Sequence, residues 1–292
     1  MRVRSSAVWA EHALESGTMP TLAEITAVFD AAYPPATAES WDAVGLVCGD
    51  PAAEVGRVLF AVDPVDAVID EALEWGADLL VTHHPLLLKA VNGVPATTFK
   101  GRSVHRLISA GCALLTAHTN ADVARPGVSD ALAVALGLTV AGPILPLRGQ
   151  EAAGRLGLGR FAALPEPEPL GAFAERVAAS LPRTSAGVRV AGDLGRPVRT
   201  VAVCGGAGDD RELLAAVRAG GADVYVTADL RHHPASEAME AARFGGGPAL
   251  VDVAHFASEW PWLPVAAALL AGGTVETRVS TLVTDPWTAH TQ

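Results

Sequence analysis

Thiols are scarce in this chain. Its three cysteines, Cys48, Cys112 and Cys204, stand far apart and in no C-x-x-C pair, which excludes a disulfide framework and a thiolate zinc site. Lysine is scarcer still, with Lys89 and Lys100 the only two, and no basic cluster interrupts a balance of 21 Lys+Arg against 32 Asp+Glu, net −11. Such a surface repels phosphate backbones, so nucleic acid is not an expected partner. Long apolar runs are missing as well. The longest uncharged stretch, Ala131 to Leu147, is broken by Gly137, Gly142, Pro143 and Pro146, whereas a bilayer helix needs about 20 apolar residues. The apolar run after Arg2 and Arg4 ends at Glu11 and His12, too short for a signal peptide. No membrane partner and a cytoplasmic location are the expectations. Neither G-x-x-x-x-G-K-[ST] nor G-x-S-x-G is found, which removes the P-loop and the nucleophile elbow.

What is present is ample apolar material, half of 292 residues, enough for two domains or one large α/β unit. Met1 to Thr18 looks unlike the rest and is read as a tail. From Met19 the spacing of Leu22, Ile25, Val28 and Phe29 predicts a helix that Pro34-Pro35 ends. Val58 to Val62, Val65 to Trp75 and Leu79 to Val81 then read as a β-α-β unit. The order recurs in Val198 to Cys204, Arg211 to Ala219 and Val224 to Thr227. Gly76-Ala77-Asp78-Leu79-Leu80-Val81-Thr82 matches Gly221-Ala222-Asp223-Val224-Tyr225-Val226-Thr227, and a His-His-Pro follows each, at His83-His84-Pro85 and His232-His233-Pro234. An internal duplication is the simplest account. The expected organisation is an extension over 1–18, a first α/β lobe over 19–142, a connector with one helix (Leu170 to Ser180) over 143–182, and a second lobe over 183–292.

Six of the nine histidines, His83, His84, His118, His232, His233 and His255, fall at or just past predicted strand ends, where α/β proteins build sites. Two adjacent imidazoles beyond the last ladder bond can serve two neighbouring metals, or can be ordinary loop histidines. In His118-Thr119-Asn120-Ala121-Asp122, Asp122 suits a cation as an oxygen ligand and His118 or Asn120 can orient ligands, although an Asn/Asp turn has the same composition. On a helix His255 and Glu259 would share a face at four-residue spacing, but Pro261 and Pro264 fit only near a helix start. The pair is therefore expected to straddle a loop-to-helix entry with Ser258 as the N-cap, Glu259 being alternatively a simple dipole partner. Three imidazole segments and two carboxylates without thiolate suit Zn, Fe or Mn. Paired ions of that kind polarise a substrate and activate water. Gly205-Gly206-Ala207-Gly208 reads as a tight strand-to-helix turn before an anion cradle. Cys204 is buried by pattern and no nucleophile.

Taken in order, Trp41-Asp42-Ala43-Val44-Gly45-Leu46, Val81-Thr82-His83-His84-Pro85, His118-Thr119-Asn120-Ala121-Asp122, Cys204-Gly205-Gly206-Ala207-Gly208, Asp229-Leu230-Arg231-His232-His233 and His255-Phe256-Ala257-Ser258-Glu259 resemble the Nif-three-like dinuclear metal-centre family. Many of its members carry the name GTP cyclohydrolase I type 2 homologue. The resemblance spans most of Met19 to Val283. It implies an α/β (α+β) duplicated fold, two similar lobes with mixed sheets and a metal site in the cleft between them. It also implies two divalent metal ions per chain held by His83, His84, Asp122, His255 and Glu259, with Glu259 bridging, and assembly as a ring-shaped homohexamer. Longer members insert a domain between the halves, for which 143–182 is too short, so this chain resembles a compact member. The activity implied is that of a metal-dependent hydrolase attacking a nucleotide such as GTP, or a related small-molecule substrate, through activated water, with His118 and His232 as candidate proton carriers. Asp229, His232 and His233 either line the cleft opposite the metals or are a remnant of duplication. A non-catalytic protein that stores, delivers or senses metal, or serves as a scaffold, would use the same ligands.

Overall fold

The computed structural model describes residues 18–149 and 155–291. All but one of the residues read as an N-terminal tail lie outside the described residues. In chain order the elements are α1 (Leu22–Ala32), β1 (Gly45–Cys48), β2 (Arg57–Ala61), α2 (Asp66–Trp75), β3 (Leu79–Thr82), α3 (Phe99–Ser109), β4 (Ala113–Thr116), α4 (Thr119–Val123), α5 (Val128–Ala135), β5 (Thr139–Gly142), β6 (Leu145–Pro146), β7 (Gly157–Leu158), β8 (Arg160–Pro169), α6 (Leu170–Ser180), β9 (Arg189–Ala191), β10 (Pro197–Ala207), α7 (Arg211–Ala219), β11 (Val224–Ala228), α8 (His232–Gly245), β12 (Ala249–Val253), α9 (His255–Glu259), α10 (Trp262–Ala267) and β13 (Glu276–Val279). The chain divides into two compact units. The first runs up to Ala121 and takes in Leu263–Leu282, and the second comprises Asp122–Trp262 and the segment from Val283 onward.

The first unit holds a five-stranded sheet of order β1-β4-β3-β2-β13, and the second a six-stranded sheet of order β5-β8-β10-β11-β12-β9. Both are mixed α/β sheets, and the duplication is visible in their strand senses. β2, β3 and β4 run parallel with β1 antiparallel beside β4; β10, β11 and β12 run parallel with β9 antiparallel beside β12. Beyond that shared block the units diverge, because β2 is flanked by parallel β13 and β10 by antiparallel β8.

The repeated Gly-Ala-Asp explains why both copies fold alike. Gly76 (φ 72) and Gly221 (φ 71) take the left-handed conformation that follows a helix. The aspartate two residues later then clamps the start of the preceding strand. Asp78 accepts from the backbone N–H groups of Gly56 (2.8 Å) and Arg57 (2.9 Å), and Asp223 from those of Arg199 (2.9 Å) and Thr200 (2.8 Å). Each crossover helix packs its apolar face on its own sheet. Val68, Ile69 and Ala72 meet Leu59, Leu80 and Leu114 in the first unit; Leu213 and Val217 meet Ala202, Tyr225 and Leu250 in the second. The segment 143–182 carries α6, with Phe173, Val177 and Leu181 buried. It also supplies β8, which hydrogen-bonds to β5 and β10 inside the second sheet. No helix among the described residues is long and apolar enough to cross a membrane.

Candidate metal centre

In the first unit the chain leaves β3 still hydrogen-bonded to its neighbour, His83 N–H to Ala61 O (3.2 Å) and His84 N–H to Val62 O (2.9 Å). Both imidazoles are thereby set at the strand end. His83 is fully buried, and its Nδ1 lies 2.9 Å from Ala117 O. A carbonyl only accepts, so Nδ1 carries the proton and Nε2 the lone pair. His84 Nδ1 stands 2.6 Å from Asp63 Oδ1. His118, two residues past the end of β4, stands 2.9 Å from Asp42 Oδ1 through its own Nδ1. The second oxygen of Asp42 accepts from Thr119 N–H (3.0 Å) and Thr119 Oγ1 (2.5 Å). Asn120 accepts from His118 N–H (2.9 Å) and donates to Tyr33 O (2.7 Å). The three rings sit 5.1 to 5.5 Å apart between centroids, and one nitrogen of each lies within 4.8 Å of the others, a group that could hold a metal ion.

Electrostatics favour the neutral form of His118. Burial first, then the neighbouring His83, lowers the His118 pKa below the usual imidazole value, outweighing Asp42. For Asp42, burial pushes upward, but the hydrogen bonds from His118 and Thr119 hold its carboxyl below the ordinary range. A neutral ring hydrogen-bonded through Nδ1 to an acceptor presents Nε2 to a cation, the usual outer-shell arrangement at metal-ligating histidines.

In the second unit His255 opens α9 and Glu259 closes it, with His255 Nε2 2.9 Å from Glu259 Oε1. His255 Nδ1 in turn meets Asp229 Oδ2 at 2.7 Å. Asp229 is the one non-glycine residue with positive φ (56) among the described residues. Such a backbone is uncommon outside turns and functional sites. Glu259 is buried, and Gly206 backs the pair: a Cβ there would stand 2.6 Å from Glu259 Oε1 and 3.4 Å from His255 Nε2. Asp122, on α4, and Glu259 both raise the pKa of the Cys204 thiol, which burial above all pushes up to about 12. That thiol is no nucleophile.

Two local expectations need correction. Ser258 is not the N-cap of α9. Ala254 takes that position, and Ser258 lies inside the helix, accepting from Gly206 N–H (2.8 Å) and donating to His255 O (2.7 Å). The tight turn expected at Gly205-Gly206-Ala207-Gly208 is strand for its first three residues, which close β10, with Gly205 N–H donating to Ser129 Oγ, Gly206 N–H to Ser258 Oγ and Gly208 N–H to Ala228 O. His232 and His233 fall on the exposed first turn of α8, 5.3 Å apart between centroids. Sequence reasoning did not assign Asp42, Asp63 and Asp229 as the carboxylates that orient the imidazoles. Asp42 and Asp229 stand in motifs already singled out, whereas Asp63 carries no signal of its own.

The chain is similar to known proteins over most of its length. The Duf34/NIF3 (NGG1p interacting factor 3) family model matches residues 20–286. A Streptomyces coelicolor protein named GTP cyclohydrolase 1 type 2 homolog is 54% identical over 278 residues, covering 93% of this chain and 95% of its own. A Mycobacterium bovis protein of the same name is 40% identical, covering 91% and 96%. That alignment runs over 372 residues, against the 292 of this chain, so the mycobacterial relative carries segments without a counterpart here. A crystal structure of a Staphylococcus aureus protein superposes with a TM-score of 0.82 at 27% identity, covering 94% of this chain and 100% of that one.

Proposed function

Because this chain belongs to the Duf34/NIF3 family, we propose that it binds two divalent metal ions and works as a hydrolase on a nucleotide or related small molecule. The residues that would hold the ions are His83, His84, Asp122, His255 and Glu259, and Zn, Fe or Mn would suit them. The observation that carries this reading is the anchoring of His83, His84, His118 and His255 through Nδ1 to a carbonyl or carboxylate. Nitrogen and carboxylate donors without thiolate fit such ions. When bound, the ions supply Lewis acidity and a water acidic enough to attack at neutral pH.

The chain's own residues handle protons and orientation. His118, kept neutral by burial and by its neighbours, accepts a proton at Nε2, and Asp42 at Nδ1 stabilises the imidazolium so formed. His232, exposed at the start of α8, is the second proposed proton carrier, exchanging with solvent. The relatives' names point to GTP as the first nucleotide to try.

The test is elemental analysis of anaerobically purified protein beside His83→Ala, Glu259→Ala and His118→Ala, followed by assays for formate and phosphate released from GTP. We expect two metals per chain in the wild type, their loss in the first two variants, and metal retained but turnover lost in the third. Metal content unchanged in both ligand variants overturns the site. Metal without turnover in any substrate screen favours a metal-binding, delivery or scaffold protein.

A further inference from the structure

Trp41 is 57% exposed, leaving most of an indole in water, yet the turn that carries it is firmly tied to the imidazole group. Asp42 N–H donates to Glu39 O (2.9 Å), Glu39 N–H to Thr119 Oγ1 (2.9 Å) and Ala43 N–H to Asp42 Oδ1 (2.7 Å). The Asp42 carboxylate itself takes His118 and Thr119. The backbone on either side of Trp41 is therefore anchored beside His118. Their rings lie 6.1 Å apart between centroids at 76°, an edge-to-face contact rather than a parallel stack. Burial of apolar surface is the ordinary fate of a tryptophan, and lone exposed ones are common. A wet indole carried on a hydrogen-bonded turn at the edge of a metal-capable histidine cluster is a more specific arrangement. It suits the π face of a flat ligand.

We propose that Trp41 is the stacking platform for the substrate of this site, and that the substrate carries a flat heteroaromatic ring, recognised through that ring rather than through phosphate or sugar alone. The inference rests on the metal-dependent reading above and names the substrate class for it. Trp41 is a specificity residue here: it holds the ring beside His118 and takes no part in bond making. No basic cluster is needed for this mode of recognition, in keeping with a chain of net charge −11. Base–aromatic stacking is tolerant of which base is bound, so both purine nucleotides serve as probes.

The experiment is equilibrium binding of GTP, ATP and ribose 5-phosphate to metal-loaded wild type, Trp41→Ala and Trp41→Phe, with metal content measured on each. We expect Trp41→Ala to weaken both nucleotides roughly ten-fold or more, Trp41→Phe to weaken them less, and ribose 5-phosphate binding and metal content to stay unchanged. Three results overturn the proposal: nucleotide binding unaltered in Trp41→Ala, an equal loss for ribose 5-phosphate, or no nucleotide bound by metal-loaded wild type. Absence of metal from the wild type is a different failure, and it sinks the reading of the metal centre itself.

Discussion

A histidine that is to ligate a cation is best held in one tautomer, and here the three proposed ligand rings are fixed by Ala117 O, Asp63 and Asp229, while Asp42 fixes His118 in the same way. Each carboxylate also makes the far ring nitrogen a better donor. Removing one is expected to weaken metal binding without removing a ligand, by about 10- to 100-fold. Asp63→Ala should therefore lower metal affinity in competition with a chromophoric chelator while the thermal midpoint stays close to wild type, since Asp63 is only partly buried. An unchanged affinity would show that Asp63 does not orient His84. The histidines were legible in the sequence because each follows an apolar run that ends a strand. Their orienting partners were not, because Asp63 and His84 are 21 residues apart, Asp42 and His118 are 76 apart, and only the fold brings such pairs together.

At the scale of elements, the second unit is held by one buried cation. Arg160 is fully buried. Its Nε donates to Asp130 (2.9 Å) and its Nη1 to Gly157 O (2.6 Å) and Gly159 O (2.8 Å), while Nη2 reaches Ala124 O. Asp130 also caps the start of α5 by accepting from Gly127 N–H (3.0 Å). A single ion pair thus joins β8, α5 and the loop that leaves α4. Deleting one member strands a charge in the interior, at a cost of about 3–5 kcal/mol. Arg160→Ala should lower stability by that amount in urea denaturation, and Arg160→Ala with Asp130→Ala by less than the sum of the two single losses. Additive losses would contradict the pairing. The two β-α-β blocks were readable because strand runs, helix spacing and the Gly-Ala-Asp stop all agree. β8 was hidden by Pro165, Pro167 and Pro169. The structure accommodates them because β5 pairs only with Phe161 to Ala163, which leaves the proline-rich half open on one side of the sheet, where proline is tolerated.

For the whole molecule, the acidic surface and scattered exposed aromatics such as Phe99 and Phe244 frame the question of assembly. The family resemblance implies six chains. Sedimentation at equilibrium should return that mass, and a monomeric mass across a wide concentration range would overturn it. The first sheet raises a different matter, that of timing. β2 lies between β3 and β13, and β13 is encoded more than two hundred positions after β2. At the usual pace of synthesis the ribosome needs on the order of ten to forty seconds to cover that distance. Through that interval the nascent edge of β2 has no permanent neighbour and stays open to strands of other chains, so the sheet begun first is the sheet completed last.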